Sequence, residues 1–145
     1  MPKYLLDTNA CIHVRDEHRK KTSGNAAAQQ RRQKVHAKWQ ATPAAEIAMS
    51  VISMGELRYG ADKSDEPEKS HALLDTLSRM IAVLPLSEDV CRHYGQIRNQ
   101  LQQNQIGPND TWIAAHARHG GCTVVTGNAG EFHRVAGLTV EDWTQ

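Results

Sequence analysis

The sequence predicts an α/β fold with a mainly parallel central sheet, and three observations carry that expectation. Short apolar runs recur along the chain, each borders a stretch with helical spacing, and polar or glycine turns separate the two kinds of segment. Strands that alternate with helices pair in parallel through crossovers, and such a sheet is covered on both faces. At 145 residues the chain is long enough to bury a core without staples, and residues 1–145 are read as one unit.

Tyr4-Leu5-Leu6 is a buried strand stopped by Asp7-Thr8-Asn9, which leads into a helix. A basic helical insert at about residues 15–42 follows, rich in Ala, Gln, Arg and Lys, with Ser23-Gly24-Asn25 as a break between two helices. Its few apolar residues, chiefly Val35 and Trp39, leave it little to bury. Ile47-Ala48-Met49 is a second strand, and Glu56 to Gly60 reads as a short helix closed by glycine. Leu73, Leu74, Leu77 and Ile81 follow helical spacing, and Ala82 to Leu86 reads as an edge strand carrying Pro85. Ser87 caps a helix with Val90, Tyr94, Ile97 and Leu101 on one face. A turn at Ile106 to Asp110 opens a helix that ends at Gly120-Gly121, Cys122 to Thr126 is a fourth strand, and Leu138-Thr139-Val140 is a short last one.

Composition narrows the function. The net charge is +1, so any hold on a polyanion is local. Arg15, Arg19, Lys20, Lys21, Arg31, Arg32, Lys34 and Lys38 crowd the insert, which accounts for the low mean hydropathy of −0.58. Such a run is either a solvated face or a phosphate-binding strip, and Arg31, Arg32 and Lys34 are its candidate RNA contacts. Cys11, Cys91 and Cys122 are odd in number, widely spaced and without a C-x-x-C pair, so they read as buried small hydrophobes. The eight histidines lack zinc-ligand spacing with a second His or Cys. Trp39 is the one tryptophan expected to be exposed, as a base-stacking candidate. A short apolar run reaching Asp7 excludes a signal peptide or membrane span at this end, and a cytoplasmic location is expected.

Ligands of open parallel sheets bind outside the carboxyl ends of the strands. Asp7, Glu56 and Glu131 fall at those ends, and Asp110 opens a helix that can reach the same rim. Four carboxylates in one cleft repel one another, so a cation belongs between them. Oxygen ligands suit Mg²⁺ or Mn²⁺, which can deliver a water to a phosphodiester. The competing explanation is local: Ser53-x-x-Glu56 and Asn128-x-x-Glu131 both fit a capping box, and Asp110 fits a plain helix-start acid. On spacing alone both explanations stand.

Four ordered motifs go further. They are Leu5-Leu6-Asp7-Thr8-Asn9, Ile52-Ser53-Met54-Gly55-Glu56-Leu57-x-Tyr59-Gly60, Ile106-Gly107-x-x-Asp110-x-x-Ile113-Ala114-Ala115-His116-Ala117, and Val124-Val125-Thr126-Gly127-Asn128-x-x-Glu131-Phe132. Together with Arg134-Val135-x-Gly137-Leu138 and Glu141-x-Trp143, they resemble the motifs of PIN-domain ribonucleases, nearest the VapC-type toxins of toxin-antitoxin modules. The resemblance runs from end to end and omits mainly the basic insert. It implies a three-layer α/β/α sandwich, Mg²⁺- or Mn²⁺-dependent endonucleolytic cleavage of RNA, restraint by a cognate antitoxin, and a homodimer. It also implies that Asp7, Glu56, Asp110 and Glu131 are the catalytic and metal-binding acids, with Asn9, Thr126 and Asn128 in support. Gly127 departs from the family's usual Asn or Arg, and the insert is longer and more basic than usual.

Two alternatives have signatures of their own. An aspartyl phosphohydrolase would place a second Asp two residues after the first, where this chain has Asn9. A catalytically inactive PIN-like nucleic-acid-binding module would have lost an acid, and all four are present.

Overall fold

The computed structural model describes residues 2–19 and 24–145. Lys20, Lys21 and Ser23, part of the basic insert as read from sequence, lie outside the described residues.

Five parallel strands make one sheet in the order β3-β2-β1-β4-β5: β1 (Tyr4–Leu6), β2 (Ile47–Ser50), β3 (Ala82–Leu84), β4 (Thr123–Val125) and β5 (Val140–Glu141). Leu5 lies beside Ala48 and Val124, and Leu6 beside Met49 and Val125. Successive residues of a strand face opposite sides. Leu5, Ala48 and Val124 accordingly join one core, and Leu6, Met49 and Val125 the other. Burial on both faces is why these strands read as continuous apolar runs rather than alternating ones.

The first core takes Val90, Ile97 and Leu101 from α5 (Glu88–Gln100), the apolar face of α6 (Pro108–Gly120), and Phe132 from α7 (Ala129–Phe132). The second takes Ala10, Cys11 and Val14 from α1 (Thr8–His18), Val35 from α2 (Ala26–Ala41), Leu57 and Ala61 from α3 (Val51–Asp62), and Leu74 and Leu77 from α4 (Pro67–Met80). Helices on both sides of a parallel sheet complete the expected three layers.

Local chemistry explains most boundaries. Asn25 caps α2 by accepting from the Ala28 N–H, and Gly121 ends α6 in the left-handed region at φ 67°, where a residue without Cβ is unstrained. Several readings need correction. The helix after β2 does not close at Gly60 but runs to Asp62, and its cap is Ser50 rather than Ser53. The last strand is Val140–Glu141, not Leu138 to Val140. Cys91 is exposed on α5, unlike the buried Cys11 and Cys122. The insert buries more than expected, because α2 packs on α1 and carries Val35 fully into the core. Trp39 is half-buried against that core and leans on His36 rather than standing free. Among the described residues no helix is long and apolar enough to cross a membrane.

Candidate functional site

The strand order reverses at β1, since β2 follows on one side and β4 is inserted on the other. A crevice opens at the carboxyl ends beside such a switch point, and Asp7 stands in it. Its N–H donates to the Val125 carbonyl at 2.9 Å across the gap to β4. Extended backbone at φ −71° and ψ 175° makes Asp7 the N-cap of α1, with its Oδ1 accepting from the Ala10 N–H at 2.9 Å. The residue is 4% exposed. Burial pushes its carboxyl up to about 6, against hydrogen bonds from the Thr126 side chain and the Ala10 N–H, and the charges of Glu56 and Asp142 add to the rise.

The other acids arrive on helices. β2 passes into α3 without a loop, and Glu56 lies in the second turn, where its Oε1 accepts from the Thr8 hydroxyl at 2.6 Å. The capping-box reading of Ser53 and Glu56 is therefore set aside, as Ser53 is buried inside the helix. Asp110 sits in the first turn of α6 after Gly107 and Pro108. Its carboxyl is pushed up to about 7 by burial, by a hydrogen bond shared with Glu131, and by the charges of Asp7, Glu131 and Glu56. Glu131, on the short α7, accepts from the Asn128 side chain and its N–H donates to the Asn128 carbonyl at 3.2 Å. The Asn128 N–H in turn donates to Thr126 Oγ1 at 2.8 Å. A continuous hydrogen-bonded path thus runs from Asp110 through Glu131, Asn128 and Thr126 to Asp7.

The four acids named from sequence share one rim, with Thr126 and Asn128 inside the network that joins them. Asn9 is exposed on the first turn of α1, and its neighbour Thr8 is the residue that reaches Glu56. Two participants were missed. Thr8 lies within the Asp7-Thr8-Asn9 signature, which was the available signal. Asp142, close enough to Asp7 to raise its pKa, follows β5 and carries no local mark beyond a strand-end position. Burial works to raise Asp142 itself, but hydrogen bonds from Thr144 and Gln145 outweigh it and hold that carboxyl low. A side chain at Gly127 would meet only Thr144 at ordinary contact distance, so space does not require glycine there.

Two cavities open beside Glu56. One of about 280 Å³ is lined by Thr8, Arg15, Arg19, Glu56, Ser64 and Ser70 among others. A wider one of about 750 Å³ includes Thr8, Val51, Glu56, Tyr59 and Asn109. Of the three candidate RNA contacts on α2, Arg31 and Lys34 are exposed, whereas Arg32 is buried and its Nε pairs with Glu17 at 3.2 Å.

The model of the PIN domain matches residues 4–138. The chain belongs to the PIN domain family. This PIN domain is 36% identical over 146 residues to the tRNA(fMet)-specific endonuclease VapC of Shigella flexneri, covering 99% of this chain and 100% of that protein. The tRNA(fMet)-specific endonuclease VapC of Salmonella typhimurium is 33% identical over 153 residues, with 99% of each chain covered. The DNA-bound VapBC structure from Salmonella typhimurium superposes with a TM-score of 0.81 at 32% identity, again over 99% of each chain.

The donor chemistry of this PIN domain fits a hard divalent cation. Its rim carries oxygen donors, and both aspartates are pushed up by burial and by neighbouring carboxylates, a deficit of positive charge that a cation would relieve. Among the described residues no three His, Cys, Asp or Glu side chains gather tightly enough to enclose a metal ion on their own. A cation that keeps several waters and takes one or two carboxylates, as Mg²⁺ does, suits such a rim.

Proposed function

We propose that this PIN domain is a metal-dependent endoribonuclease and the toxin of a toxin-antitoxin pair. The observation that carries the reading is the pair of buried aspartates at the switch point, Asp7 and Asp110, each raised in pKa by the other acids of one hydrogen-bonded rim. Asp7 and Asp110 are the ligands best placed for Mg²⁺ or Mn²⁺, with Glu56 and Glu131 at the flanks. Such an ion would neutralise charge on the phosphate under attack and make water a better nucleophile at neutral pH.

The protein's own groups do the positioning. Thr126 and the Ala10 N–H orient the Asp7 carboxylate, Thr8 orients Glu56, and Asn128 orients Glu131. The proton associated with Asp110 and Glu131 near neutral pH must leave before both can act as anionic ligands, so metal binding displaces it.

Transfer RNA is the substrate class to test first, because two relatives that match nearly end to end are named tRNA(fMet)-specific endonucleases. The likeness to VapBC supports a cognate antitoxin as partner. A homodimer and a cytoplasmic location complete the reading. Exposed Arg31 and Lys34 supply phosphate contacts along α2.

The test is cleavage of initiator tRNA by the purified protein. Cuts should appear with Mg²⁺ or Mn²⁺, vanish in chelator, and vanish in Asp7→Asn. Undiminished cleavage by Asp7→Asn in chelator would sink the mechanism.

A further inference from the structure

We infer that His116 is a positioning residue: through Ser50 it sets the register of α3 against α6, and with it the separation of Glu56 from Asp110.

His116 is only 7% exposed and sits on α6 among Ala114, Ala115 and Ala117, each at 0%. Its Nδ1 lies 2.8 Å from Ser50 Oγ, and its ring also bonds to the backbone of Pro85. Proline has no N–H, so the Pro85 partner is the carbonyl and the ring must donate to it. With Nδ1 engaged by Ser50, that donor is Nε2. Burial holds the imidazole below its usual pKa and keeps it neutral, so Nδ1 carries a lone pair. The Ser50 hydroxyl therefore donates to Nδ1, while its oxygen accepts from the Ile52 N–H at 3.1 Å. The result is a directed chain from the α3 N-cap, through α6, to the backbone after β3.

Its position gives it leverage. Glu56 is six residues after Ser50, and Asp110 is six residues before His116. The two helices thus pass each other in opposite senses, tied at one level and carrying their carboxylates at another, about 9 Å along each axis. Between the levels, Ile52 packs on the core that holds Ile113 and Ala114, and the buried Ser53 hydroxyl has no partner among the described residues. Apolar contact is non-directional and specifies no register by itself. Among the described residues, Ser50 to His116 is the one hydrogen bond between the start of α3 and α6.

A buried strut that only stabilised the fold would look similar in a static structure, so the test separates the two hydrogen bonds of the ring. The position rests on the nuclease reading above, and a measurement without RNA keeps the two distinguishable. His116→Asn places an acceptor near Nδ1 and cannot reach Pro85, whereas His116→Gln keeps a donor near Nε2 and loses Ser50. Ser50→Ala and Ser50→Thr probe the same bond from the other side. Full-length variants are compared for kcat and KM on tRNA, for Mn²⁺ affinity by calorimetry without RNA, and for Tm. We expect His116→Gln and Ser50→Ala to lose about 10–100-fold in kcat and in Mn²⁺ affinity, with KM within about 3-fold and His116→Asn and Ser50→Thr within about 3-fold of the parent. Should the parent cleave no RNA, the same ranking in Mn²⁺ affinity still supports the inference while the nuclease reading fails. Folded His116→Gln and Ser50→Ala proteins with parental kcat and Mn²⁺ affinity, whatever their Tm, overturn it, as does a His116→Asn protein as impaired as His116→Gln.

Discussion

Asp7 does two jobs with one carboxylate, and the two can be separated by substitution. Its Oδ1 caps α1 through the Ala10 N–H, and the same side chain faces Glu56 and the crevice beside Thr126. Asparagine caps a helix as well as aspartate does, whereas alanine costs about 1 kcal/mol. Asp7→Asn and Asp7→Ala should both lose RNA cleavage, but for different structural reasons. In metal-free protein at neutral pH, Asp7→Asn should melt at or above the parent, because it keeps the cap and removes a crowded charge. Asp7→Ala should melt about 3 °C below Asp7→Asn for a chain of this size. Thermal scans check the order, and equal Tm values for the two variants would show that the cap contributes nothing.

At the scale of elements, the basic insert divides into a structural face and a solvent face. Arg32 and Val35 of α2 turn inward, one to Glu17 of α1 and the other into the core, while Arg31 and Lys34 face solvent. Arg32→Ala leaves Glu17 without that ion pair and should cost about 2 kcal/mol of stability. Arg31→Ala with Lys34→Ala should leave Tm within about 0.5 kcal/mol of the parent, as surface changes usually do. The same double variant should weaken RNA binding and lower the slope of log Kd against log salt by about 1. An unchanged slope would reduce the outer face of α2 to a solvated surface. The α5 and α6 pair is pinned in a different way, by Arg118, which donates to His93 Nδ1, Gln96 Oε1 and the Ala136 carbonyl, each at 2.9 Å. That fork ties the Asp110 helix to the segment after α7.

For the whole molecule, the acidic rim makes stability depend on pH and metal together. Asp7 and Asp110 have folded pKa values of about 6 and about 7 against an ordinary 3.8. Below pH 4 both states are protonated and the contribution is fully present. As pH rises, the unfolded chain releases these protons first, so the contribution falls and is lost above about pH 7. For Asp7 the change is on the order of 3 kcal/mol at about 1.4 kcal/mol per pH unit. His13, His36 and His116, held below their usual value by burial, act in the opposite direction near pH 6.5. The comparison with Asp110→Asn cancels them. In metal-free protein, the Tm of Asp110→Asn relative to the parent should rise between pH 5 and pH 8. Saturating Mn²⁺ should stabilise the parent more at pH 8 than at pH 5, since the metal takes the ionised acids. A Tm difference that stays flat across this range would mean that the rim carries no such strain.

How much of this was legible depended on the distance over which each cause acts. Capping, turn chemistry and hydrophobic period operate over a few residues, so the strand ending at Asp7, the cap at Asn25, the face of α5 and the stop at Gly121 could be read locally. The four acids were legible as strand-end or helix-start residues, and their order along the chain carried the family resemblance. Tertiary structure decided which of them touch and what holds them. Thr8 meets Glu56 across 48 residues and Ser50 meets His116 across 66, contacts that exist only once the sheet order and helix crossings are set. Asp142 joins the rim because β5 pairs beside β4, and Arg32 turns inward because α2 packs on α1. Sequence alone determined the α/β class and the acids on offer, through local propensity and the apolar runs. Only three-dimensional packing could bring those acids near enough for charge and burial to raise Asp7 and Asp110, because both effects depend on distances between residues remote along the chain.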